Sequence, residues 1–436
     1  MSQPPIDMPP RPEGPGFRHP LMGADLMTLW RARRRYGPVA SGRRGLATLM
    51  WASAVGRWPF RMLERLRMAW LSRRSRGGSA ERGSGPPGGG PSARTGRRSA
   101  PPDPLFIVGH WRSGTTHLHN LMARSPEFGI ISPLASGLPW EILTLGTWLQ
   151  PLLARALPED RHVDRVAVTL DSPQEDEIPV ANMQPLSVFH ALYFPARFRR
   201  NFERGVFFEG VSEREIARWK ARVRYFHAKI SLQQSGRRLL VKNPVYTARI
   251  ARLLEIWPDA GFIHIYRNPH VVYASTVHYF REILPGLALQ SFDHLQLEDF
   301  VLKEFPRLMD RLYEESAGLT ENRFAEVRFE DLENDALAVL ERLYGRLELS
   351  GWPRARPRVE AYLDSISDYR KNAFTYPPRT VARVGRAWAR YLDRWGYEAP
   401  RAPPASGGAA PDAREALAPG SPGDPRARPA EGPRRV

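Results

Sequence analysis

Apolar and polar positions change period repeatedly along the chain. The runs "LFIV" (105–108), "LLV" (239–241), "FIHIY" (262–266) and "AEVRF" (325–329) predict buried strands. Helical spacing of apolar residues follows each of them, over Thr115–Ala123, Thr247–Trp257, Val271–Phe280 and Glu333–Leu347. Strand–helix alternation of this kind predicts an α/β fold, a parallel sheet with helices on both faces. Between 140 and 235 the pattern is mostly helical and interrupts the alternation, which makes that insertion the natural place for an acceptor pocket or lid.

The ends of the chain follow other patterns. Residues 1–23 have no regular period, and 24–71 read as helix in two pieces split near "YGPVASG". The second piece, "RWPFRMLERLRMAWL", sets Trp58, Phe60, Met62, Leu63, Leu66 and Trp70 among arginines. Amphipathic helices mostly turn their apolar face to the core, and that is the first expectation here. The alternative is a helix lying in a membrane interface, with peripheral contact through residues 45–71. Glycine, serine, proline and arginine dominate 72–103, which reads as a linker, and the tail from Ala399 has a similar make-up. The expected organisation is a mobile basic helical arm (1–71), a disordered linker (72–103), the main domain (104–398) and a disordered tail (399–436).

The longest apolar stretch, "GLATLMWASAVG" at Gly45–Gly56, is 12 residues long. A spanning helix needs roughly 20, so none is expected. The proline-rich first residues lack the apolar core of a signal peptide. A cytoplasmic protein, peripheral at the membrane, is the resulting expectation.

Charge alters the picture less than its total suggests. The net charge is +18, but residues 1–100 alone carry 19 arginines against 5 acids, which leaves 104–398 close to neutral. A nucleic-acid partner is therefore not expected. With 59 arginines to 5 lysines, an arginine carries little information and a lysine more. The absence of cysteine excludes disulfides, thiolate metal sites and thiol nucleophiles.

Candidate chemistry begins at "FIVGHWRSGTTHLHN", Phe106 to Asn120. A strand ends, Gly109 and Gly114 enclose "HWRS", and Thr115-Thr116 open a helix. Backbone N–H groups of such a turn converge, the helix N-terminus adds partial positive charge, and two hydroxyls with Arg112 supply more donors. The site suits a tetrahedral oxyanion. A nucleoside-triphosphate loop would place lysine where Thr115 stands, so triphosphate hydrolysis is disfavoured.

"PLFIVGHWRSGTTHLHNLM" resembles the 5′-phosphosulfate loop of sulfotransferases that use 3′-phosphoadenosine 5′-phosphosulfate (PAPS), the bacterial-type family similar to tyrosylprotein sulfotransferases. The resemblance covers about residues 104–350. It implies a P-loop-like fold in which Arg112, Ser113, Gly114, Thr115 and Thr116 wrap the 5′-phosphosulfate. It further implies that Arg267 and Ser275, eight residues apart in "YRNPHVVYAS", bind the 3′-phosphate. Arginine suits that task because its fork grips phosphate with two bonds, and Pro269 presets the first turn of the next helix. "DYRKNAFTYP" adds Lys371 as a weaker third element, lacking the glycine-rich stretch that precedes it in cytosolic enzymes.

Sulfuryl transfer asks for in-line positioning, donors to the leaving phosphate and a base for the acceptor proton. Lys242 ends a predicted strand in "RRLLVKNP", where parallel-sheet proteins place ligands, and the resemblance sets a lysine there beside the bridging oxygen. For the base, Glu141 in "GLPWE" is the first expectation, followed by Glu175 and Glu177 in "DSPQEDEIP". Glu330 and Asp331 are expected to be structural, and His110, His117 and His119 to pack or touch phosphate. The catalytic set is thus Lys242, Arg112 and one of three carboxylates, with no metal, acting on a small-molecule, lipid, sugar or peptide hydroxyl or amine. A small-molecule or nucleoside kinase on the same loop is the alternative. Removal of residues 1–100 is expected to spare transfer, and Arg112→Ala to abolish it.

Overall fold

The computed structural model describes residues 19–80, 102–149, 172–366 and 377–398, with the backbone alone for 72–80. Five strands form one sheet: β1 (Leu105–Val108), β2 (Phe128–Gly129), β3 (Arg238–Lys242), β4 (Gly261–Tyr266) and β5 (Phe324–Arg328). Their order is β2-β3-β1-β4-β5, and every neighbouring pair is parallel. The four strands expected from the apolar runs are present; β2, only two residues long, leaves too short a trace in the sequence.

The central strands β3, β1 and β4 are buried on both faces, as their apolar runs require. In β1, Phe106 and Val108 enter one core, where Phe106 stacks on Phe262 at 5.4 Å, while Leu105 and Ile107 enter the other with Leu118 and Leu121. Register brings three strand ends together: Ile107 pairs with Lys242 and Val108 with His264. The turn after β1, the end of β3 and the segment after β4 therefore share one edge, at the point where the connections diverge to either side of β1.

The expected helical insertion is present, with helices at Glu177–Met183, Phe198–Phe207 and Glu213–Gln233 among its described residues. The last begins with a capping box, Ser212 and Glu215 bonding reciprocally.

The N-terminal arm departs from expectation in two ways. It forms α1 (Leu26–Tyr36), α2 (Arg44–Gly56) and α3 (Trp58–Ala80), so helix continues nine residues past the expected boundary at 71. More importantly, α3 is inside out. Arg57, Arg61 and Glu64 are buried, whereas Trp58, Met62, Leu63, Leu66 and Trp70 are exposed. The expectation of an apolar face packed on the domain is corrected.

The reason lies in a set of buried charges. Glu141 accepts from Arg57 at 2.8 Å and from Arg61 at 3.2 Å. Glu64 meets Lys229 at 2.6 Å, both side chains fully buried, and Lys229 also donates to the carbonyls of Pro139 and Trp140 at 2.7 and 2.8 Å. Arg57 donates besides to the carbonyls of Met22, Gly23 and Ala24. Removing one side of such a pair strands a buried charge, at a cost of about 3–5 kcal/mol. The arm is thus pinned to the domain through residues 57–64, and the expectation that it is mobile is corrected with it.

Candidate active site

The loop after β1 is held in a shape that side chains rarely permit. Gly109 and Gly114 have φ of 145° and 100°, and Arg112, with φ 70°, adopts the left-handed region despite its side chain. Such strain gathers at ligand-clamping sites. A Cβ at Gly109 would lie 2.4 Å from the Ile265 carbonyl oxygen, and one at Gly114 would lie 2.1 Å from Cδ2 of Phe329. Thr247, just past β3, fixes the entry to the loop. Its hydroxyl accepts from the Gly109 N–H at 2.8 Å and donates to the Gly109 carbonyl at 3.1 Å.

Gly114 caps α4 (Thr115–Met122), so the turn feeds directly into a helix N-terminus whose first N–H groups have no acceptor within the helix. Ser113 is buried, and among the described residues its Oγ has no hydrogen-bond partner. A buried hydroxyl left so is costly unless a ligand engages it. These features fit an anionic group seated on Ser113, Gly114, Thr115 and Thr116.

Two contacts tie the other candidates to this turn. Arg112 donates through Nε to Oγ of Ser275 at 3.0 Å, joining the loop to the helix Pro269–Leu287. Phe329, against Gly114, carries the Arg267 guanidinium over its ring at 4.2 Å. Arg267 and Ser275 accordingly lie on the same edge of the sheet as the loop. Asn268 caps the helix by accepting from the His270 N–H at 3.0 Å, with Pro269 in the first turn as expected.

Lys242 ends β3 beside the loop. Its Nζ reaches Oγ1 of Thr116 at 3.3 Å and forms a close ion pair with Glu175. Behind the pair is a buried network that the sequence did not suggest. Asp176 accepts from His227 Nε2 and Asn243 Nδ2, each at 2.8 Å, and from the Tyr246 hydroxyl. Asn243 also donates to Glu177 at 3.0 Å, and Glu177 accepts from the Val188 N–H at 3.1 Å. Asn243 and Tyr246 follow Lys242 within "KNPVY", so their place at a strand end was the available signal; His227, on a distant helix, offered none.

The three candidate carboxylates are therefore unequal. Glu175 alone meets Lys242, with about a quarter of its side chain exposed. Glu177 is fully buried in the network, and burial pushes its pKa up. Glu141, expected first as the base, is corrected: it has no exposure, and both its oxygens face the arginines of the arm. Burial raises its pKa against the pull of Arg57 and Arg61, but no acceptor can reach it.

His110 is buried, its pKa lowered to about 4, with Nδ1 at 2.8 Å from the Trp111 carbonyl; His119 packs behind β3 near the Leu240 carbonyl. Glu330 accepts from the Asn268 N–H at 3.1 Å and from the Tyr397 hydroxyl. Lys371 lies outside the described residues.

Comparison with known proteins adds the following. The model of the sulfotransferase family matches residues 104–354. The omega-hydroxy-beta-dihydromenaquinone-9 sulfotransferases Stf3 of Mycobacterium bovis and Mycobacterium tuberculosis are each 35% identical over 298 residues, spanning 68% of this chain and 75% of theirs. Among solved structures, sulfotransferase STF9 from Mycobacterium avium superposes with a TM-score of 0.54 at 19% identity, covering 69% of this chain and 79% of its own. Sulfotransferase STF1 from Mycobacterium tuberculosis gives 0.50 at 17% identity, over 84% and 91%. At such identities the structures show the shared fold.

Proposed function

The chain belongs to the sulfotransferase family and is a sulfotransferase, and from that premise we propose that it carries a sulfuryl group from PAPS to a hydroxyl on an apolar, lipid-like acceptor. The observation that carries the reading is Lys242, whose ammonium stands between Thr116 of the anion turn and Glu175.

In this reading the turn 112–116 holds the 5′-phosphosulfate, and the buried, unpartnered Ser113 hydroxyl gains its missing bond there. Arg267 and Ser275 take the 3′-phosphate. The acceptor oxygen forms its bond to sulfur as the bond from sulfur to the bridging phosphate oxygen breaks. Lys242 donates to that departing oxygen, a compact cation suited to one developing charge. The acceptor proton passes to Glu175, the carboxylate with access to the site. The Asp176–His227–Tyr246–Asn243 network holds the 175–177 segment against β3 so that Glu175 stays in reach.

Support for the acceptor class is the curated relatives' name, which specifies a hydroxylated dihydromenaquinone. The test is transfer of label from ³⁵S-PAPS to a membrane-lipid extract supplemented with a terminally hydroxylated isoprenoid quinone. Labelled quinone is expected, and Lys242→Ala is expected to lose its formation about a hundredfold or more. Label appearing only on water-soluble phenols would overturn the acceptor class, and no transfer to anything would overturn the reading of the site.

A further inference from the structure

We propose that the outward face of α3, together with Trp148, is a docking surface for an anionic phospholipid bilayer. It stands on the exposed face of the arm and holds whatever the acceptor is.

Helical period sorts α3 into two opposite stripes. Arg61 and Glu64, with Arg57 just before the helix, point inward. Trp58, Met62, Leu66 and Trp70, at steps of four, point outward with Leu63, each between 37% and 66% exposed. An ordinary surface helix has the reverse arrangement. Trp148 extends the patch: it is 70% exposed and packs edge-on to Phe60 of α3 at 6.1 Å. Large apolar side chains gathered on one exposed face mark an interaction site.

Charge selects the occupant. The exposed charged residues of α3 up to Trp70 are Arg65 and Arg67, both basic, and they flank the apolar stripe on its two sides. The acidic residue of this stretch, Glu64, is buried against Lys229. An apolar stripe rich in tryptophan between arginines matches the boundary between acyl chains and phosphate headgroups. Self-association through the same face would set arginine against arginine across the two-fold axis. Among the described residues no helix is long and apolar enough to cross a membrane, so α3 would lie on the surface. Buried ion pairs at Glu141 and Lys229 fix that orientation, since rotating α3 to bury its tryptophans would strand both of these charges.

The arm also leans on the acceptor side of the molecule. α2 packs on the turn Pro20–Gly23, which packs on the helix Glu177–Met183, two residues beyond Glu175.

The experiment is co-sedimentation of the full chain with vesicles of equimolar phosphatidylglycerol and phosphatidylcholine, and with vesicles of phosphatidylcholine alone. The wild type is expected to pellet with the former and weakly with the latter. The triple variant Trp58→Ser, Leu66→Ser, Trp70→Ser is expected to lose at least about tenfold in partitioning, and Arg65→Glu several-fold. The triple variant should keep the thermal stabilisation that 3′,5′-ADP gives the wild type, which separates loss of docking from loss of fold. Wild type remaining in the supernatant, or a triple variant that pellets equally well, would overturn the proposal. So would a wild-type dimer that the triple variant dissociates without any vesicle binding.

Discussion

Lys242 and Glu175 form the ion pair on which the proposed chemistry turns, and they should respond to substitution differently from the residues proposed to hold the donor. Lys242→Ala and Glu175→Gln should each lower kcat by about two to four orders of magnitude with a smaller effect on donor affinity. Arg267→Ala should weaken 3′,5′-ADP binding by about ten- to a hundredfold, read by calorimetry, because a phosphate loses its two-bonded partner. Glu141→Gln should behave as neither. It leaves Arg57 and Arg61 with Asp25, 3.8 Å from Arg61, as their remaining anion and should cost about 3 kcal/mol of stability in denaturant unfolding, with kcat of the folded fraction little changed. The lysine could be found in the sequence because arginine is used almost everywhere else, so its presence at a strand end stood out. The choice among carboxylates could not. Glu141 and Glu175 look alike as residues, and what separates them is an arm some eighty residues earlier that covers one and leaves the other facing Lys242.

Elements were legible in proportion to how much of their partner set is local. β1, β3 and β4 announce themselves by their apolar runs and β5 by alternating apolar positions, and the turn after β1 by its two glycines, whose roles are backbone ones. Gly114→Ala tests that: with φ 100° and Phe329 in the way of a Cβ, it should shift the turn and cut 3′,5′-ADP affinity at least tenfold by calorimetry. α3 was misjudged because amphipathic period shows that a helix has two faces without showing which one the protein needs. Here the polar face is the inner one, since Glu141 and Lys229 wait beneath it. Acid sensitivity also belongs to the packing of elements. Burial lowers His19 to about 4, His110 to about 4 and His190 to about 3 from the ordinary 6.5. The unfolded chain binds these protons below about pH 6.5 and the folded protein does not, so stability is held above that pH and is lost as pH falls toward 4. His190 stacks near Tyr36 and Phe194, and both its ring nitrogens lack partners among the described residues. His190→Phe should leave the Tm at neutral pH unchanged or higher and recover about 2 kcal/mol at pH 5.

At the scale of the whole molecule, one sheet edge gathers a turn, a lysine and an arginine from three separate strands, and the N-terminal arm packs on the domain through its polar face. Deleting residues 1–71 should therefore unfold or strongly destabilise the domain, because Glu141 and Lys229 lose their counter-charges together. The fold, and the meeting of the turn after β1, Lys242 and Arg267 at one sheet edge, could be read from the sequence because they rest on contiguous motifs. The arm's attachment and the Asp176 network could not, since each joins residues far apart in the chain. The central claim is that the turn at 109–116 and Arg267 grasp the two phosphate-bearing ends of one nucleotide. Thermal unfolding in the presence of 3′,5′-ADP, 5′-AMP and ATP with magnesium tests it most directly. The account predicts a rise in Tm with 3′,5′-ADP well above that with 5′-AMP, a gap that Arg267→Ala closes, and no rise with ATP. Stabilisation by ATP with magnesium and none by 3′,5′-ADP would contradict it.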